Sequence, residues 1–191
     1  MPITPDTKNW TWVLERPCPE CGFDPDRVDY RDVPRLTRDA VTVWQRVLGS
    51  GAGSDAPGAR LAVRPDDSTW SPLEYGAHTR DVFRIMHARL GLMLVLVDPE
   101  FLNWDQDETA VEQNYAGQSP ARVARELAAA GAAIAEAFEL VPDEQLGRTG
   151  RRTDGSRFTV ESLAKYFLHD VVHHRWDVTG ERFGGGSPAA S

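Results

Sequence analysis

Cysteine is scarce in this chain, with only Cys18 and Cys21 among its 191 residues. Two cysteines cannot cross-link a chain of this length into a disulfide-stabilised scaffold. The protein must therefore fold around a hydrophobic core. A length of 191 residues is sufficient for a single domain that buries most of its apolar surface.

An excess of basic residues and a long apolar run are also lacking. The 21 Lys and Arg residues are outnumbered by 29 Asp and Glu, and the net charge of −8 argues against a nucleic-acid partner. The longest apolar run, Leu90 to Val97, is too short to cross a bilayer. The first residues show neither the basic start nor the apolar core of a signal peptide. We therefore expect a cytoplasmic protein with no membrane partner.

Four amphipathic helical patterns dominate the middle of the chain. Apolar residues recur in them at spacings of three and four, and almost no alternating pattern typical of strands is present. The clearest start is at Ser71, where Glu74 completes a capping box and Pro72 occupies the first helical position. The four patterns run from Val33 to Leu48, from Pro72 to Val97, from Pro120 to Leu140 and from Thr159 to Val178. They predict an all-α protein, specifically a four-helix bundle.

The two ends of the chain differ from this bundle, which is predicted to span residues 31–179. Residues 1–30 contain five prolines, a density that forbids a long helix. We expect a Pro-rich extended strap there, anchored on the bundle by Trp10 and Trp12. Residues 180–191 are rich in glycine and small polar residues, and they are predicted to be a disordered tail.

Two of the five histidines, His169 and His173, are four residues apart in the last helical pattern. Side chains at this spacing project from one face of a helix, about one turn apart. They share a stripe with Tyr166 and Trp176, so we predict that they face the bundle core. A buried imidazole needs partners for both ring nitrogens, and a metal ion supplies one.

His78 occupies a similar inward stripe in the second helical pattern, so packed helices would bring it opposite the His169 and His173 pair. We therefore predict that His78, His169 and His173 bind one divalent metal ion. A core histidine satisfied by ordinary hydrogen bonds remains the alternative for His78. His87 and His174 fall off these stripes and are interpreted as surface or boundary residues.

The segments WSPLEYGAH (70–78) and HDVVHH (169–174) resemble the DinB-like (YfiT-like) superfamily. The resemblance extends over roughly Tyr30 to Val178 and depends on the order and spacing of short motifs. It implies a four-helix bundle with a three-histidine metal site, with one ligand from the second helix and two from the fourth. By position these ligands are His78, His169 and His173.

Three neutral nitrogen ligands leave a coordination position open, as in catalytic zinc sites. Zinc is favoured here, with nickel or iron as alternatives. Related branches of the superfamily include bacillithiol and mycothiol S-transferases and the mycothiol-dependent maleylpyruvate isomerase. The resemblance therefore implies a transferase that uses a small-molecule thiol such as mycothiol on an electrophilic substrate. A non-catalytic metal-binding stress or sensor protein and a zinc-dependent hydrolase are the alternatives, and a homodimer is left open.

The motif Cys18-Pro19-Glu20-Cys21 lies in the predicted strap, where the family pattern gives no guidance. It has three interpretations: a structural pair in an ordered strap, a redox dithiol, or half of a second metal site. The chain has no second C-x-x-C motif, so His or Asp would have to complete such a site.

Overall fold

A computed structural model describes residues 9–50 and 60–184 of the chain. Its helices are α1 (Val33–Gly49), α2 (Pro72–Val95), α3 (Gln106–Glu112), α4 (Pro120–Glu139) and α5 (Val160–Thr179). The four long helices, α1, α2, α4 and α5, confirm the predicted four-helix bundle. None of the described helices has the length and hydrophobicity needed to cross a membrane.

The long helices pack so that α1 and α2 each contact both α4 and α5 but make few contacts with one another. This arrangement places α1 and α2 at opposite corners of the bundle. Three fully buried phenylalanines meet at its centre. The ring of Phe167 on α5 lies 5.7 Å from that of Phe83 on α2 and 5.3 Å from that of Phe138 on α4.

Local capping explains where two helices that carry candidate ligands begin. At the start of α2, the Ser71 hydroxyl accepts the Glu74 N–H at 3.3 Å, and the Glu74 carboxylate accepts the Ser71 N–H at 2.9 Å. This confirms the predicted capping box. Helix α5 begins with a similar reciprocal pair, Thr159 and Ser162, and ends at Gly180, whose φ of +71° suits glycine.

A small sheet closes one end of the bundle and leads into α5. Strands β2 (Thr149–Arg152) and β3 (Arg157–Thr159) form an antiparallel hairpin, and β1 (Glu100–Phe101) pairs in parallel with β2. The segment 103–118, which precedes α4, contains the short helix α3.

Residues 9–30, here called the N-terminal segment, pack on the bundle and contribute to its core. Cys18, Cys21 and Phe23 are almost completely buried, and the segment contains short 3-10 helices rather than a long one. The chain that follows α5 returns to it, since the Phe183 N–H donates to the Cys21 carbonyl at 2.7 Å. Most of the predicted tail, residues 185–191, lies outside the described residues, as do residues 1–8 and 51–59.

Candidate metal centre

Helix α5 carries two pairs of metal-ligand side chains, each with four-residue spacing. His169 pairs with His173, and Asp170 pairs with His174. Because an α-helix has 3.6 residues per turn, a shift of one residue turns a side chain by about 100° around the axis. The two pairs therefore face different neighbours: Asp170 and His174 lie near His78 on α2, whereas His169 and His173 lie near the N-terminal segment.

His78, Asp170 and His174 form the first group, here called the His–Asp cluster. One donor atom from each residue lies within 4.8 Å of the other two. Asp170 Oδ1 is 3.4 Å from His78 Nε2 and 3.7 Å from His174 Nε2. Nitrogen and oxygen donors at about 2.0–2.2 Å from a tetrahedral ion stand roughly 3.3–3.6 Å apart, so the donor spacing fits a metal ion.

Three buried polar atoms of the His–Asp cluster, on His78 and Asp170, have no hydrogen-bond partner among the described residues. His78 is fully buried, and neither of its ring nitrogens has a hydrogen-bond partner among the described residues. Asp170 Oδ1 also has none. Unsatisfied buried polar atoms are rare and call for a missing partner. The Trp104 ring stacks on His78 at 5.2 Å and keeps the imidazole away from water.

The protonation states of this cluster suit metal ligands. Burial lowers the pKa of His78, more than neighbouring Asp170 raises it, so the imidazole is neutral at pH 7. Burial alone would raise the pKa of Asp170, but His174 and His78 outweigh it and lower the pKa to about 2. A neutral imidazole and a carboxylate are donors that zinc and other divalent ions accept.

Asp177 orients His174. Its Oδ2 lies 2.9 Å from His174 Nδ1, and an ionised carboxylate only accepts hydrogen bonds. The Nδ1 atom therefore carries a proton, and in the neutral ring this leaves a lone pair on Nε2, the nitrogen nearest Asp170. Carboxylate–histidine pairs of this kind hold the ligand ring in proteins that bind metals through histidine.

A cavity of about 310 Å³ opens beside the His–Asp cluster. Aromatic rings and carboxylates form much of its wall, and both members of each α5 pair reach it. The lining includes Trp10, Trp70, Trp176, Glu20, Asp107 and Asp177. An ion held by the cluster would therefore be accessible to a small molecule.

The second group, here called the Cys–His cluster, consists of Cys18, Cys21, His169 and His173. All four residues are buried, and their donor atoms lie within 4.8 Å of one another. Burial, followed by the proximity of His173, lowers the pKa of His169 to about 3. Burial likewise lowers the pKa of His173 and raises that of Cys21 to about 12.

The structure thus distributes the predicted ligands between two clusters. His169 and His173 lie together, as their spacing predicts, but they adjoin the two cysteines, while His78 lies with Asp170 and His174. His174, interpreted from sequence as a surface or boundary residue, has a side chain only 16% exposed and directed at Asp170. The sequence held one signal for this pair, because Asp170 and His174 have the same four-residue spacing. The three-histidine ligand set stays a prediction.

The architecture is that of a four-helix bundle with clustered metal-ligand side chains between its helices. Residues 41–178 match the sequence model of the DinB superfamily, so the chain belongs to that superfamily. Among solved structures, it is similar to YfiT from Bacillus subtilis, described as a probable metal-dependent hydrolase with an unusual four-helix bundle topology. The two chains are 18% identical with a TM-score of 0.60, over 75% of this chain and 84% of YfiT. No functionally curated protein matches the chain significantly.

Proposed function

We propose that this protein is a metal-dependent enzyme whose catalytic divalent ion, zinc by preference, is bound by His78, Asp170 and His174. The observation that carries this proposal is the fully buried His78 Nε2, which has no hydrogen-bond partner among the described residues and stands 3.4 Å from Asp170 Oδ1, an oxygen that also has none. A satisfied core histidine would have protein partners for these atoms. Membership of the DinB superfamily and the likeness to YfiT support the same conclusion.

The three residues supply three protein donors, which is the number found in catalytic zinc sites with an open position. When bound, the ion would lower the pKa of a thiol or water at that position. The chain's own residues prepare the site: Asp177 holds the proton on His174 Nδ1, and Trp104 covers His78. Asp170 and His174 both line the cavity, so a small molecule could approach an ion from that side.

For the reaction, we propose S-transfer from a low-molecular-weight thiol of the mycothiol type to an electrophilic small molecule. In such a step the thiol gives its proton to solvent water, its sulfur bonds to the electrophilic carbon, and the leaving group departs with the electron pair of the broken bond. The cavity wall supports a polyhydroxylated thiol. Tryptophan faces such as Trp10 and Trp176 stack on sugar rings, while carboxylates such as Asp107 accept hydrogen bonds from hydroxyl groups.

A hydrolase is the second candidate, favoured by the carboxylates beside the cluster. Glu20, whose side chain is 44% exposed, and Asp177 both line the cavity. The proposed thiol transfer does not use either carboxylate as a base toward water. Either carboxylate can take a proton from an attacking water molecule. The description of YfiT as a probable hydrolase points in the same direction for that protein.

One experiment separates these candidates from a non-catalytic metal protein. Protein purified without a histidine tag would be assayed for metal content, thiol consumption with a panel of electrophiles, and hydrolysis of ester and amide substrates. His174→Ala and Asp170→Asn should lose the activity, whereas His87→Ala, an exposed residue of α2, should retain it. Retention of full activity in both cluster variants would place the catalytic ion elsewhere. Metal binding without turnover of any substrate class would favour the sensor alternative.

A further inference from the structure

Cys18 and Cys21 lie on a tight turn that directs both side chains into the protein. The Cys18 N–H donates to the Phe23 carbonyl at 2.8 Å, and the Gly22 N–H donates to the Cys18 carbonyl at 3.0 Å. Gly22 reverses the chain with a φ of +79°, a conformation that suits glycine. The turn therefore presents two thiols side by side from a short, rigid piece of backbone.

The imidazoles of His169 and His173 meet these thiols from α5. Cys18 Sγ lies 3.7 Å from His173 Nδ1, a contact between residues 155 positions apart. In a tetrahedral zinc site with Zn–S bonds of about 2.3 Å and Zn–N bonds of about 2.0 Å, sulfur and nitrogen donors stand roughly 3.5 Å apart. The observed spacing is that of donors arranged around an ion.

Aromatic rings surround much of the four donors, while His169 and His173 also border the cavity and Glu20 Oε2 lies 3.4 Å from His173 Nε2. The four residues are between 0% and 7% exposed. The Trp10 ring lies 5.5 Å from that of His169 and 4.9 Å from that of His173, and Phe23 contacts His169 edge-on at 5.5 Å. His169 Nε2, on a residue only 3% exposed, has no hydrogen-bond partner among the described residues. An ion would satisfy a buried nitrogen that the protein leaves unpaired.

We propose that Cys18, Cys21, His169 and His173 bind a structural zinc ion that fastens the N-terminal segment to α5. Two cysteines and two histidines form a complete tetrahedral set for zinc, and four protein ligands leave no open position. This ion is therefore distinct in role from the catalytic ion proposed above. The matched family region begins at residue 41, so the two cysteines lie outside it.

The ion would fix more than the turn itself. The chain after α5 also binds this turn, since Arg182 Nη1 donates to the Pro19 carbonyl at 2.9 Å and the Phe183 N–H donates to the Cys21 carbonyl. Trp10 and Glu20, which belong to the same N-terminal segment, line the cavity. Fastening the segment thus holds one wall of the cavity in place.

A redox dithiol is the competing interpretation of the same motif, and the native protein can decide between the two. Wild-type protein would be titrated with a mercurial reagent in the presence of a zinc-sensitive dye. We expect two equivalents of reagent to release one zinc ion, because both thiolates are ligands. An intramolecular disulfide, or two thiols that react without releasing zinc, would overturn the proposal.

Cobalt substitution identifies the donors and separates the two ions. The wild-type protein loaded with Co²⁺ should show a thiolate-to-cobalt charge-transfer band, and the Cys18→Ser/Cys21→Ser variant should lose that band. Metal content should fall from about two ions per chain to about one in the cysteine variant. His174→Ala should also lose one ion yet retain the band. Loss of the band in His174→Ala together with its retention in His173→Ala would overturn the assignment of His173 as a ligand beside the cysteines. If the band is present but the protein has no enzymatic activity, only the proposed catalytic function is contradicted.

Discussion

His169 and Asp170 are neighbours in the chain, but their side chains belong to different clusters on α5. Asp170 Oδ1 is 3.4 Å from His78 Nε2, whereas the His169 ring lies against Trp10 and Phe23 of the N-terminal segment. The rotation of about 100° between consecutive helical residues separates the two directions. One helix thus supplies ligands to two clusters, one shared with α2 and the other shared with the N-terminal segment.

The hydrogen bond from His174 Nδ1 to Asp177 leads to the first prediction. Asp177→Asn should weaken metal binding at the His–Asp cluster by about 10–100-fold, because the carboxylate that fixes the ring and its proton is lost. Competition with a chelator of known affinity would measure the change. Glu161→Gln, which alters an ion pair in the first turn of the same helix, is the matched control and should bind metal normally. Equal affinities in the two variants would contradict this role for Asp177.

The aromatic centre of the bundle gives the second prediction. Phe167 is fully buried between Phe83 and Phe138, so Phe167→Ala should lower the free energy of unfolding by about 3–5 kcal/mol. Urea denaturation at fixed metal loading would measure the loss. Val111→Ala is the matched control, because that side chain is 65% exposed and its truncation should cost little. A loss below about 1 kcal/mol for Phe167→Ala would show that the three rings do not form the core.

The starts of the bundle helices could be predicted from the sequence, because the residues that cap a helix lie within its first turn. Ser71 and Glu74 lie within one turn and form their capping box wherever the rest of the chain lies. The end of α2 was harder to predict from the sequence. It stops at Val95, two residues before the predicted end, where the Arg148 guanidinium donates to the Met93 and Leu96 carbonyls. A residue more than fifty positions away could not be recognised as a partner from α2 alone.

The metal-ligand clusters show the same division between local and long-range information. Four-residue spacing identified His169 and His173 but could not exclude Asp170 and His174, which have the same spacing. The rotation of α5 decides which pair faces α2, and it depends on apolar packing by residues such as Phe167 and Val171, both fully buried. The partner of Cys18 could not be predicted from the sequence, because the contact with His173 joins residues 155 positions apart.

A buried ion pair on α2 gives the third prediction, on the pH dependence of stability. Asp81 is only 5% exposed, and its carboxylate receives hydrogen bonds from Arg80 at 2.8 Å and from the Tyr115 hydroxyl at 2.7 Å. Burial alone would raise the pKa of Asp81, but Arg80 and Tyr115 outweigh it and lower the pKa below 3.8. Because the folded pKa is the lower one, this stabilisation is complete above the unfolded value and is lost as the pH falls through the folded value.

Asp81→Asn should therefore cost about 3 kcal/mol at pH 7, the lower end of the range for a broken buried pair, because Glu126 still contacts Arg80. The difference in stability between wild type and variant should shrink as the pH falls from 3.8 toward the folded pKa. Urea denaturation at pH values from 7 to about 3 would test both statements. Parallel stability curves for the two proteins would show that folding does not lower the pKa of Asp81.

The last prediction concerns Trp10, whose ring covers both histidines of the Cys–His cluster at 4.9 and 5.5 Å. Trp10→Ala removes this cover and should lower the free energy for local opening of the N-terminal segment by about 2 kcal/mol. The thiols of Cys18 and Cys21, buried in the closed state, react only after opening. At equal metal loading, their reaction with a small thiol reagent should therefore become about 30-fold faster.

Trp12→Ala is the matched control for this measurement. The Trp12 ring stacks on Trp10 at 5.7 Å and lies under the Arg16 guanidinium, so its loss weakens the segment but leaves the cover over the cluster in place. The expected increase in thiol reactivity is smaller than that for Trp10→Ala. Global stability in urea should change little in either variant, because the four long helices keep their packing. Thiol reactivity that rises equally in both variants would mean that the whole segment opens as one unit and that the ring of Trp10 has no specific role in closing the cluster.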